Sequence, residues 1–300
     1  MTTSPLWQTM IFATAALAMI VVNLLFQPDL TFQVLMLAPA VAILGLPHGA
    51  LDLPIAQSLW SLQGWRGNAC FAVLYIGLAV ILVCFWIVFP GPTLCAFLIY
   101  SAVHFSGDWD DAGSALRWTG GVATVGAPAL FGQEDVATIF SYLAPQGAAD
   151  FAAQFLAFSG AAALIFCITL VIFRPVFRTR AAVELVIIWI AAACLAPLVY
   201  FIVYFCALHS VRHFTSALAS LDRKRHALGS VALLCGITVL AGCLVFMVMQ
   251  RTGSDFLAPS IIKIVFIGLA ALTVPHMILV DRFQFQSKRQ VEGQTFNSST

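Results

Sequence analysis

Charge-free apolar runs divide this chain. They cover roughly 7–26, 30–51, 67–107, 151–173, 185–211 and 226–250, and a last one, 256–280, is broken only by Lys263. A helix that crosses a bilayer needs about 20 mostly apolar residues. Each run therefore predicts one spanning helix, except 67–107, which is long enough for two. Pro90-Gly91-Pro92 divides it, because proline lacks the N–H of the helical ladder and clashes with the preceding turn. The pattern gives about eight transmembrane segments. A ninth stretch, 118–133, is glycine-rich, short and weakly apolar, and reads as a re-entrant or tilted element.

The polar connections are short and leave no room for an inserted soluble domain. No period of 20–50 residues, the mark of a repeat array, is present. The expectation is an all-α fold, a polytopic integral membrane bundle forming a single catalytic domain over 1–285, with a disordered tail over 286–300. No lysine or arginine precedes the first segment, Trp7 to Phe26. A cleavable signal begins with a basic region, so this helix is expected to be retained.

Composition sharpens the picture. The chain is 61% hydrophobic and 9% charged, against about 25% charged in a soluble domain. That excludes a globular enzyme with a membrane tail and makes this an integral membrane protein, with the cell (inner) membrane as the expected location. A net charge of +1, with no basic patch interleaved with aromatics, gives no sign of a nucleic-acid partner. The eight cysteines form no CxxC and lie in or beside apolar runs. They read as packing residues, not as a disulfide or zinc framework.

Orientation is not fixed by charge. Basic residues cluster at Arg174, Arg178 and Arg180, at Arg223-Lys224-Arg225, and at Arg282, Lys288 and Arg289. The positive-inside rule would put all three clusters in the cytoplasm. A single crossing by 185–211 cannot satisfy the first two together. Either that region dips in and returns near Pro197, or one cluster faces outward.

The chemistry lies in the histidines. Five of the six, His48, His104, His209, His213 and His276, sit in or at the end of apolar segments. Polar groups at membrane depth are costly and tend to mark function. His209 and His213 are four apart, on one helical face, where two imidazoles can meet one metal. His48 and His104 each have an aspartate four residues on, Asp52 and Asp108. A continuing helix would set each carboxylate under its imidazole, where metal-bound histidines commonly find a partner for the second ring nitrogen. Asp110 and Asp111 read as helix ends at the membrane surface. His276 follows Pro275 and precedes Asp281, and reads as a ligand, a group behind the ligands or a substrate-pocket residue. His226, beside Arg225, reads as solvated.

These are too few histidines for the boxes of a di-iron membrane desaturase, so a single ion is the better count. Bis-histidine haem sites need pairs facing across two helices, and His209 and His213 are too close for two haems. Neutral imidazoles suit iron, copper or zinc. Competing readings are a haem-binding membrane redox protein and a transporter relaying protons or ions.

GLPHGALD, YSAVHFSGDWD, FCALHSVRHF and TVPHMILVD resemble the four signature regions of the Brp/Blh family, membrane-bound beta-carotene 15,15'-dioxygenases of microbes that make retinal for rhodopsins. The resemblance runs from about Gly45 to Asp281, with the motifs in order and similarly spaced. It says little about 118–150. It implies Fe(2+) held by four histidines, which fall on His48, His104, His209 and His213. His276 lies in a motif but is not among those four. It further implies O2-dependent cleavage of beta-carotene at the central double bond into two retinals, with a retinal-accepting rhodopsin as partner; the competing reading is a non-catalytic carotenoid-binding or transport protein that resembles these enzymes.

The residues agree with this. Four neutral imidazoles leave an octahedral ferrous ion two open positions, and open positions separate catalytic from structural sites. A long polyene dissolved in the bilayer can enter sideways. Phe105, Trp109, Phe205 and Phe214 flank the candidate ligands and are candidate tunnel walls. Tyr100, Ser210 and Arg212 are polar groups near the same motifs. Arg212 needs a carboxylate partner if buried, with Asp52, Asp108 and Asp281 as candidates.

Overall fold

Backbone polar groups have no water to bond within a bilayer, so apolar runs satisfy them internally as helices. The computed structural model describes residues 5–60, 62, 64–174, 176, 179–221, 224–251 and 256–297. The chain opens with α1 (Leu6–Phe26) and α2 (Leu30–Ala40), and a π-turn (Val41–Gly45) leads into the short α3 (Leu46–Gly49) and α4 (Asp52–Trp60). Then come α5 (Gly64–Val88) and α6 (Pro90–Ser106), a 3₁₀ turn (Gly107–Ala112), α7 (Ser114–Phe131), α8 (Gln133–Ser141) and α9 (Gln146–Phe173). The last third holds α10 (Arg180–Cys194), α11 (Pro197–Tyr204), a second π-turn (Phe205–His209), α12 (Ser210–Ala219), α13 (Lys224–Arg251) and α14 (Leu257–Asn297). The last helix includes 286–297, read in the sequence as tail.

Among the described residues, seven helical stretches are long and apolar enough to cross a membrane: Leu6–Phe26, Leu30–Trp60, Gly64–Val88, Gln146–Phe173, Pro197–Ala219, Lys224–Arg251 and Leu257–Val280. The split at Pro90 is borne out, since α5 ends at Val88 and α6 starts at Pro90. At 17 residues, α6 stands at the short end of what spans, about 17–25. The protein is a multi-pass membrane bundle. Its outer faces carry large apolar side chains such as Leu24, Phe26, Ile87 and Leu240 in full exposure, a surface suited to lipid.

The run 185–211 is not one helix. It breaks between Cys194 and Pro197, so α10 and a separate span starting at Pro197 lie between the first two basic clusters. The run thus breaks near Pro197, at the place where a return of the chain was one of the two alternatives. Arg178 and Arg223 of those clusters lie outside the described residues.

The weak stretch 118–133 becomes a helix packed inside the bundle, half of its residues buried. In α7, Leu116, Thr119, Gly120, Gly121, Ala123, Thr124, Gly126, Ala127 and Ala129 are buried. Its poor hydropathy has a packing cause. A Cβ on Gly126 would lie 2.7 Å from the backbone nitrogen of Gly160 in α9, and one on Gly121 would strike the Ala102 carbonyl of α6. Small residues let membrane helices approach this closely.

The two π-turns pack against each other. A Cβ on Gly45 would lie 2.7 Å from Cε1 of Phe205, so glycine is what permits the contact. Each turn delivers a candidate ligand: His209 ends the second, and His48 follows three residues after the first. An extra residue in a helical turn re-aims every side chain beyond it, and such turns are common at functional sites.

Candidate metal centre

Five imidazoles from four parts of the chain converge in the middle of the bundle. Ring centroids of His209 and His213 are 4.4 Å apart, and those of His104 and His209 4.7 Å. His48 lies 5.3 Å from His209, 5.4 Å from His276 and 6.4 Å from His213. His104 lies 5.6 Å from His213 and 5.8 Å from His276. With a metal–nitrogen bond of about 2.1 Å, two rings on one ion have centroids up to roughly 6.5 Å apart. All these separations fall within that reach.

The tightest set of potential ligand atoms is Asp108, His209 and His213, all within 4.8 Å of one another, a candidate metal site. His209 is fully buried, and its Nε2 has no hydrogen-bond partner among the described residues. A buried nitrogen left bare is costly unless something occupies it, so the arrangement fits a cation. The rings of His48 and His104 lie beside that group, each within 6.4 Å of His209 and His213.

The carboxylates serve other histidines than the spacing suggests. Asp108 accepts from Nδ1 of His209 at 3.1 Å on Oδ2, with Nε2 of His213 3.3 Å from Oδ1. Asp52 pairs with Nδ1 of His276 at 2.7 Å. Neither therefore sits under the histidine four residues before it. The cause is local: the helix tightens to 3₁₀ after Ser106 with Trp109 off helical angles, and α3 stops at Gly49 before α4 restarts at Asp52. His48 instead sets Nδ1 against the Gly45 carbonyl at 2.5 Å, with the Ser210 hydroxyl at 3.2 Å.

Each carboxylate also takes a tyrosine. The Tyr204 hydroxyl donates to Asp108 Oδ2 at 2.5 Å, and Tyr75 donates to Asp52 Oδ2 at 2.7 Å. Asp108 thus sits behind the cluster, taking the Tyr204 hydroxyl and Nδ1 of His209 on the same oxygen.

Arg212 is buried, as expected of an arginine with a partner, but the partner is Glu184. Its Nη2 lies 2.8 Å from Glu184 Oε1, its Nη1 donates to the Asp108 carbonyl at 2.5 Å, and its Nε to Gln8 at 3.3 Å. Glu184 also accepts from Thr9 and Arg180, and Arg180 makes a forked contact with Asp111. Asp111 is thus an ion-pair partner as well as a segment end. Sequence reasoning missed Glu184, Gln8, Tyr75 and Tyr204. The available signal for Glu184 was an acid at the edge of an apolar run with Arg180 four residues before it.

A cavity of about 540 Å³ adjoins the cluster, inside the range of ligand pockets, about 300–1,000 Å³. His48, His104 and His276 form part of its wall, while His209 and His213 lie behind. Its lining includes Phe71 and Ile76 of α5, Ile237 of α13 and Leu269 of α14, and Val125 of α7, Phe140 of α8 and Leu156 of α9, two groups of helices that pack among themselves. Its threonines are turned to the backbone: Thr124, Thr238 and Thr273 each donate to the carbonyl four residues earlier. Tyr200 donates to the Thr124 carbonyl. Apart from the histidines and a few polar groups around them, the wall is mostly hydrocarbon.

Of the flanking aromatics, Phe105 and Phe205 line this cavity. Phe205 stacks on His209 at 5.6 Å, and Phe105 meets it edge-on at 4.9 Å. Trp109 is fully buried, stacks on Tyr204 at 6.4 Å and covers Gly120. Phe214 packs in a second apolar cluster around Leu51 and Ile55. Trp109, Phe214 and Tyr100 are not in the cavity wall among the described residues. The side chain of Asp281 lies outside the described residues. His226 is exposed.

A family model described as Beta-carotene 15,15'-dioxygenase matches residues 39–284. A protein from Uncultured marine bacterium 66A03, described as Beta-carotene 15,15'-dioxygenase, is 34% identical over 260 residues, covering 80% of this chain and 90% of that protein. No solved structure matches.

Proposed function

This chain belongs to the beta-carotene 15,15'-dioxygenase family, and on that premise we propose that His48, His104, His209 and His213 hold a ferrous ion against the central double bond of beta-carotene. The protein cleaves beta-carotene centrally to retinal. The observation that carries the metal assignment is the meeting of these four imidazoles beside one hydrocarbon-lined cavity. Ferrous iron supplies O2 activation, a chemistry no side chain here can provide.

The protein's share is placement and exclusion of water. Asp108, held by Tyr204, accepts the Nδ1 proton of His209 and so turns Nε2 toward the ion. The Gly45 carbonyl does the same for His48. Phe105 and Phe205 pack against the His209 ring and line the cavity. The apolar wall drawn from α5, α13 and α14 and from α7, α8 and α9 suits a long polyene, and its histidines suit a reacting bond held beside them. The hydroxyls of Tyr75, Thr124, Tyr200, Thr238 and Thr273 in the wall are tied to backbone or carboxylate and so turned away from the substrate. The retinal released into the bilayer is available to an accepting rhodopsin, the partner included in this proposal.

The test is expression in a bacterial host that accumulates beta-carotene, with His209→Ala beside it. Carotene should bleach with matching retinal, and the variant should lose both cleavage and bound iron. Normal retinal production by the variant would refute the ligand assignment.

A further inference from the structure

Two tyrosine–aspartate–histidine chains flank the metal centre, and they are built alike. In one, the Tyr204 hydroxyl and Nδ1 of His209 both bond Asp108. In the other, the Tyr75 hydroxyl bonds Asp52 Oδ2 at 2.7 Å and Nδ1 of His276 bonds Asp52 Oδ1 at 2.7 Å. The first chain ends on a histidine assigned to the metal. The second ends on a histidine that the assignment leaves out.

We infer that His276 is a fifth imidazole on the metal, an inference that rests on the centre proposed above. A carboxylate at Nδ1 selects the tautomer with its proton there and an electron pair at Nε2. That is the form that binds metals, and carboxylate–histidine–metal chains are a recurrent device for raising ligand basicity. The His276 ring is buried and stands 5.4 Å from His48 and 5.8 Å from His104, edge-on to both. Those separations are the ones two rings on a common ion take up. The Tyr75 hydroxyl, also 3.2 Å from the Leu272 carbonyl of α14, ties Asp52 to the helix that carries His276.

The consequence concerns the open positions. Four imidazoles would leave an octahedral ion two; five leave one. His48, His104 and His276 are the rings in the cavity wall; with His276 bound, the ion would have one position fewer for O2.

The test uses the full-length protein, purified in detergent and loaded with ferrous iron without oxygen. Iron-edge X-ray absorption reads the number of imidazoles, and a chelator competition reads affinity. His276→Gly should keep near one iron per chain yet lose one ring from the spectrum, and added free imidazole should restore the spectrum. An unchanged imidazole count in His276→Gly overturns the inference. Where that variant does not accumulate folded, Asp52→Asn and Tyr75→Phe keep the ring. Asp52→Asn should weaken iron binding about 10- to 100-fold, with a smaller loss for Tyr75→Phe, and wild-type affinity in both overturns the inference equally. Failure of the underlying centre has a different signature: His209→Ala would then keep its iron with the full imidazole count.

Discussion

Asp108 and His209 are 101 residues apart in the chain and 3.1 Å apart in space, carboxylate Oδ2 against imidazole Nδ1. The contact joins the 3₁₀ turn after α6 to the π-turn before α12, so one bond links the His104 helix to the helix that carries His209 and His213.

Asp108→Asn keeps the shape of this contact and removes its charge. Support of this kind is typically worth 10- to 100-fold in metal affinity. Iron retention against a competing chelator should fall by about that factor, with the helical circular dichroism unchanged. Wild-type retention would show that Asp108 does not orient His209.

Arg212 and Glu184 make a buried pair at 2.8 Å. Removing one partner leaves the other charged and unpaired, at a cost of about 3–5 kcal/mol, whereas replacing both by apolar residues is often near neutral. Glu184→Leu alone should lower the melting temperature in detergent sharply, and Glu184→Leu with Arg212→Met should recover much of the loss. A double variant no better than the single one would contradict this account.

Gly121→Ala places a methyl against the Ala102 carbonyl, two residues before His104. Backbone cannot yield as a flexible side chain can, so α6 must shift. Overpacking of this kind typically costs about 1–3 kcal/mol, and here it should also reduce cleavage by displacing a ligand. Gly229→Ala in α13, where an added Cβ meets nothing within 4 Å, serves as the neutral control in both assays.

The cavity is lined by two groups of helices, and the part at each can be filled separately. Leu156→Trp in one group or Ile237→Trp in the other should cut beta-carotene cleavage by about 100-fold, the scale of a small misplacement of the reacting bond. A shortened carotenoid lacking one end should be spared by one of the two substitutions. Equal losses on both substrates in both variants would refute a two-sided site.

Much of the arrangement is legible in the chain because the bilayer leaves few options. A charge-free run must be a helix, and a histidine in one must have a purpose, so the spans and the five histidines can be read directly. What escapes is what depends on packing between helices. Residues 118–133 read as weak since hydropathy counts lipid-facing surface, while α7 faces other helices and needs glycine and alanine. Asp52 and Asp108 lie four residues after histidines, yet the breaks at Ala50–Leu51 and Gly107 send each to a histidine on another helix. Glu184, Gln8 and Tyr204 carry no motif; only the folded bundle brings them to Arg212 and Asp108.

The paired π-turns make this centre sensitive to chain length. An α-helix turns about 100° per residue, and each π-turn holds one residue more than the helix requires. Deleting Ala207 would leave every ligand in place in the sequence and every helix a helix. It would still swing His209 and His213 about a quarter-turn relative to α11. Indels in either turn should therefore be as damaging as losing a ligand, although no chemically active group is removed.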